Sequence, residues 1–124
     1  MKKTTDYIEE AKIKLDIQSD YGLAKWLGIT DSAISHYKTG KRTIDDYTAA
    51  RIAEALEIDP MEVIAAANAE REKDEKRREF WRKIFANCVA ASFFLWISAP
   101  EIKHLGNGAI NNALIMRNLI VSAL

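Results

Sequence analysis

Gly-Leu-Ala-Lys-Trp-Leu-Gly-Ile-Thr-Asp-Ser-Ala-Ile-Ser-His-Tyr-Lys-Thr-Gly, residues 22–40, reads as two short helices joined by a tight turn. Ala24 stands where a bulkier side chain would hold the helices apart. Gly28 stands where the first helix must stop, a position that calls for left-handed backbone. Ile29 is an apolar turn residue, and Thr30 is suited to cap the next helix. Leu23, Leu27, Ile29, Ile34 and Tyr37 supply inward faces. Asp31, Ser32, Ser35, His36 and Lys38 are left to look outward, a short polar set suited to reading base edges in a DNA major groove.

Helical signals continue on both sides of this stretch. Asp6 with Glu9 opens a first helix running to about Asp16 and burying Ile8, Ala11 and Leu15. Ser19 or Asp20 caps the second helix and Thr30 the third. Thr43 followed by Asp46 has capping-box spacing for a fourth, which directs Tyr47, Ala50, Ala53, Ala55 and Leu56 to the core. Asp59-Pro60-Met61-Glu62 is the clearest start signal: an acceptor at the cap, proline at the first helical position, and an acid that reaches back. No stretch alternates with period two in β-branched residues. The expected architecture is all-α: a five-helix unit over residues 1–66, a charged helical stalk over 67–83 and an apolar helical tail over 84–124.

Charge is informative in its distribution, not in its sum. The 124 residues balance 18 basic against 18 acidic side chains. Residues 1–66 hold nine Lys and Arg against twelve Asp and Glu, a net −3 that argues against non-specific DNA binding. Within them, residues 33–43 carry Lys38, Lys41, Arg42 and His36 with no acid. A local basic edge on an acidic module fits a sequence reader that touches few phosphates. One cysteine, Cys88, excludes an internal disulfide and fits a reducing compartment. The N-terminus turns polar and acidic at once, which is not a secretory signal.

The stretch from Asp20 through the Gly40-Lys41-Arg42 exit, followed by Ala-Arg-Ile-Ala-Glu-Ala-Leu-Glu-Ile-Asp-Pro, resembles the lambda-repressor-like (Xre/Cro) helix-turn-helix family over residues 5–66. The segment from Asp59 to Glu75 also resembles small helix-turn-helix proteins of filamentous phages and prophages that carry an apolar C-terminal tail. The first resemblance implies a sequence-specific regulator of transcription, of the phage-repressor type, with double-stranded operator DNA as its partner. It implies a homodimer on two half-sites about one turn apart. By position it makes Asp31, Ser32 and His36 base-facing. Asp20 falls at a helix start that contacts phosphate or a base, and Lys41 and Arg42 fall in the loop that grips the backbone. Lys25, Thr30, Ser35 and Lys38 complete the candidate set. Asp20 and Asp31 depart from the neutral amides usual there. Asp31 either accepts from a cytosine amino group or complements the dipole of its helix.

The chain then changes character. Residues 70–83 carry seven basic and five acidic side chains at helical pair spacings, the composition of a solvated face. If continuous with the helix from Pro60, they form a stalk. Residues 84–100 hold no charge and would span roughly 25 Å as a helix, against about 30 Å of bilayer core. Trp81 and Trp96 near the ends, and basic residues before the run, favour a span with the N-terminal unit in the cytoplasm. Its shortness, with Asn87, Ser92 and Ser98, favours a buried helix, a hairpin with 109–124 after an Asn107-Gly108 turn, or a dimer core. The interaction of such an anchored protein with other proteins through its helix-turn-helix is the alternative to DNA reading. Catalysis, metals and cofactors are not expected: His36, His104 and Cys88 are isolated, and Asp45-Asp46 reads as helix-start acid.

Overall fold

The computed structural model describes the backbone of residues 1–98 and the side chains through Phe94. The expected 107–108 turn, the 109–124 segment, His104 and the end of the 84–100 run lie outside the described residues. Every regular element described is helical: α1 (Thr4–Lys14), α2 (Asp20–Leu27), α3 (Asp31–Thr39), α4 (Asp46–Leu56), α5 (Pro60–Arg71) and α6 (Glu75–Ser98). The chain divides into two units, residues 1–85 and residues 86–124.

In the first unit α1, α4 and α5 pack on one another, and α2 packs on α3. Their shared core runs from Tyr7, Ile8 and Ala11 through Leu23, Ile34 and Ile52 to Val63 and Ala67, with Phe85 packed at its margin. α1 begins two residues before Asp6, because Asp6 is not its cap. Its carboxylate accepts the Lys3 amide at 3.1 Å from the third helical position. Ile8 and Ala11 are buried as expected, and Leu15 packs at the edge.

The fourth helix corrects the expectation more sharply. Asp45, not Thr43, caps α4, its Oδ1 accepting the Thr48 amide at 2.7 Å. Ile44 before the cap and Ala49 at the fourth helical position both lie fully buried, the arrangement of a hydrophobic staple. The buried face is consequently Thr48, Ala49, Ile52 and Ala53. Tyr47 is 63% exposed, and of the five residues expected inward only Ala53 is fully buried.

Asp59 caps α5 as the sequence predicts, accepting the Met61 amide at 2.9 Å with Pro60 in the first turn. Glu62 does not reach back. It turns into the core, where its Oε2 accepts the Tyr7 hydroxyl at 2.7 Å. At the end of α5, Glu70 crosses to the other end of the unit and accepts from both the Thr4 amide (2.8 Å) and the Thr4 hydroxyl (2.7 Å). The first orphan donor of α1, the Thr4 amide, is thus satisfied by the last turn of α5.

The charged run is not one stalk with α5. Glu72 leaves the helix in an extended conformation, and α6 restarts after Asp74, whose Oδ2 accepts the Arg77 amide at 3.3 Å. Arg78 folds back to donate from Nε (3.2 Å) and Nη2 (2.9 Å) to the Glu72 carbonyl. Arg82 bridges Glu75 and Glu79 on the solvated side of α6. Among the described residues, no helix is long and apolar enough to cross a membrane. The first three turns of α6 are charged, and the apolar residues that follow within it number fewer than a span of about 20 requires.

Candidate nucleic-acid interface

The Ser19 hydroxyl starts α2 by accepting the Gly22 amide at 3.0 Å. Gly22 is needed for space: a Cβ there would lie 2.9 Å from Ile17 Cγ2 and 3.1 Å from Ser19 Oγ. Gly28 ends the helix in the left-handed region at φ 73°, and the Ile29 amide turns back to the Ala24 carbonyl at 3.0 Å. Ala24, 2% exposed, lets α3 pack close behind. The Thr30 hydroxyl accepts the Ala33 amide at 3.1 Å, so this candidate contact is engaged as the cap of α3.

On α3, Ala33, Ile34 and Tyr37 are buried while Asp31, Ser32, Ser35, Lys38 and Thr39 are exposed. His36 is half-buried. Asp20, Asp31, Ser32, Ser35, Lys38 and Thr39 line one open groove of about 610 Å³. A neighbouring groove of about 410 Å³ shares Lys38 and Thr39 and adds Arg42, Thr43, Lys3 and Thr5. Lys3, Thr5 and Thr39 escape sequence reasoning because the first two lie well before the motif, at the start of another helix, and Thr39 looks like part of the exit turn. Gly40 closes α3 at φ 80°. The chain then doubles back, the Arg42 amide donating to the His36 carbonyl at 3.2 Å. The Arg42 guanidinium lies 5.8 Å from the centre of the Tyr37 ring. Lys41 is exposed beside it. Lys25 lies apart from both grooves, its ammonium 5.5 Å from the centre of the Tyr21 ring.

The electrostatics of the groove centre on Asp20. It accepts from Lys12 at 2.8 Å and from Lys38 at 3.0 Å. Lys38 also meets Glu9 at 3.3 Å, and Lys12 meets Glu9 at 3.7 Å. Four alternating charges from α1, α2 and α3 therefore close a ring. The Lys12 hydrogen bond, assisted by Lys38, holds the Asp20 carboxyl below the usual carboxylate range against the opposing effect of burial. Asp20 in turn raises the Lys38 ammonium, with a smaller contribution from Glu9. The Asp20 carboxylate, which departs from the neutral amide usual at that position, is neutralised within the protein. Among the described residues no group of three or more His, Cys, Asp or Glu side chains is placed to hold a metal ion.

A short helix held across a left-handed glycine turn, with its polar face open and a basic exit loop, defines the helix-turn-helix class. The helix-turn-helix family model matches residues 8–63. The uncharacterized protein Gp-c of Pseudoalteromonas phage PM2 is 34% identical over 92 residues, covering 69% of this chain and 100% of that protein. No solved structure matches. The chain belongs to the helix-turn-helix family, of the Xre and lambda-repressor-like kind.

Proposed function

We propose that this chain is a phage-related, sequence-specific DNA-binding regulator, acting as a repressor, with α3 in the major groove. The observation that carries the reading is the single groove lined by Asp31, Ser32 and Ser35 along α3, beside the exit loop that bears Lys41 and Arg42. Carboxylate and hydroxyl acceptors in that groove suit base amino groups, and Asp31 suits cytosine. The loop cations position the domain on phosphate without reading sequence. A homodimer on two half-sites about one helical turn apart supplies the affinity that a short polar face lacks.

The test is selection of duplexes from a randomised pool by the full chain. An enriched motif with repeated half-sites is the expected outcome, and repression of a reporter carrying that motif separates repressor from activator. A pool that emerges without enrichment overturns the reading. It would favour the alternative, a helix-turn-helix used for protein interaction on a membrane-anchored chain, for which the net −3 charge of residues 1–66 speaks.

A further inference from the structure

We infer that Asp20 is a specificity-determining restraint: its carboxylate occupies the place of a phosphate oxygen between Lys12 and Lys38 and keeps both lysines from gripping DNA of any sequence. The inference rests on the DNA-binding reading above and adds the source of discrimination to it.

Asp20 starts α2 and lines the same groove as Asp31, Ser32, Ser35 and Lys38, so its carboxylate borders the surface that would meet DNA. Lys38 is the cation that α3 itself contributes there, and Lys12 reaches the same carboxylate from α1. Both ammonium groups sit at contact distance from Asp20, and both also face Glu9. At Lys38, whose side chain is 37% exposed, a phosphate must compete with two carboxylates for the ammonium. The Lys12 side chain is already only 14% exposed. The ring is closed and neutral, so it contributes nothing to non-specific attraction, although it places two lysines beside the reading helix. Backbone attraction is the sequence-independent part of binding, and each phosphate neutralised steepens the salt dependence. A reader that withholds two lysines binds random DNA weakly and depends on base contacts for the remainder.

The restraint has a measurable consequence in Asp20→Asn, which keeps the shape of the side chain and removes its charge. Binding of the full-length variant to a random-sequence duplex and to the selected duplex is measured by fluorescence anisotropy over a series of salt concentrations. The slope of log K against log salt should steepen by about 0.9 for each lysine released, up to about 1.8 for both. Between about 50 and about 200 mM salt, each released lysine then adds about a 3.5-fold loss of affinity. At low salt the affinity for random DNA should rise more than that for the selected site, and their ratio should fall. In the triple variant Asp20→Asn, Lys12→Gln, Lys38→Gln, the slope should return to the wild-type value.

A folded Asp20→Asn protein with the wild-type slope overturns the inference. So does a triple variant that keeps the steeper slope, since the effect would then be one of general charge. If Asp20→Asn does not fold by circular dichroism, Lys38→Gln in the wild-type background replaces it. With Lys38 already held by Asp20 and Glu9, its loss should leave the wild-type slope unchanged, and a slope shallower by about 0.9 overturns the inference. A wild-type chain that binds no duplex at any salt concentration removes the DNA reading, and the inference falls with it. Wild-type binding with an unaltered Asp20→Asn slope removes the inference alone.

Discussion

Gly22 inside α2 and Gly28 at its end are required for different reasons. At Gly28 nothing lies within 4 Å of an added Cβ, so the requirement is the φ of 73° alone. At Gly22 the backbone is ordinary and the requirement is room beside Ile17. Gly28→Ala should therefore lower stability by about 1–2 kcal/mol, the cost of left-handed backbone for a residue with a Cβ. Gly28→Asn should recover part of it, because asparagine visits that region with less penalty. Urea unfolding measures both, and an asparagine variant as unstable as the alanine variant would show that space governs the site. Gly28 is legible in the sequence because the turn it makes is local. The need for Gly22 is not, since its crowding neighbour precedes the helix and only the fold brings Ile17 across it. Tyr7 and Glu62 are hidden for the same reason: their hydrogen bond joins positions 55 residues apart, and an exposed glutamate and a core glutamate look alike in sequence.

At the scale of elements, capping chemistry is readable where one candidate stands alone and ambiguous where two compete. Thr30 and Asp59 cap the helices assigned to them, and of the two candidates Ser19 and Asp20 it is Ser19 that caps the second. Between Thr43 and Asp45 the choice falls to Asp45 because Ile44 must enter the core immediately before the helix, and that rotates α4 away from the face expected of it. The loop between α3 and α4 is shaped by the same requirement. With Ile44 anchored and the Arg42 amide held by the His36 carbonyl, Arg42 lines the neighbouring groove and Lys41 stands exposed before it in the loop. Lys41→Ala with Arg42→Ala should weaken binding to all sequences in similar proportion. The salt slope should become shallower by up to about 1.8. An unchanged slope in gel-shift titrations would take the loop out of the interface. Against Asp20→Asn the predicted change has the opposite sign, which makes the two variants a pair.

At the scale of the whole molecule, the pH response of the helix-turn-helix unit follows from the neutral ring that binds α1, α2 and α3. Asp20 is held below the usual carboxylate range, so its contribution to stability is fully present above that range and is lost as pH falls through the lowered value. Lys38 is raised, so its contribution is present below the usual lysine range and is lost as pH rises through the raised value. Thermal unfolding should show a plateau between these limits, with an acid decline that Asp20→Asn makes shallower. Parallel acid limbs in the two proteins would exclude Asp20 as a contributor. The ring itself is invisible to sequence reasoning because only Glu9 and Lys12 share a helix, and the fold alone brings Asp20 and Lys38 to them. The break at Glu72 is likewise unmarked: residues 70–83 have helical composition throughout, and only the fold-back of Arg78 onto the Glu72 carbonyl shows where the helix divides.

The bond between Thr4 and Glu70 gives the first unit an order in time as well as a shape. The helix that begins the chain receives its final cap from a side chain made 66 residues later. During synthesis at about 5–20 residues per second, α2 and α3 emerge while α1 still lacks both that cap and the α4–α5 layer it packs on. The reading helix is therefore complete in sequence seconds before it is held in place. A nascent chain stalled ahead of Glu70 carries the whole motif but not the carboxylate that caps α1.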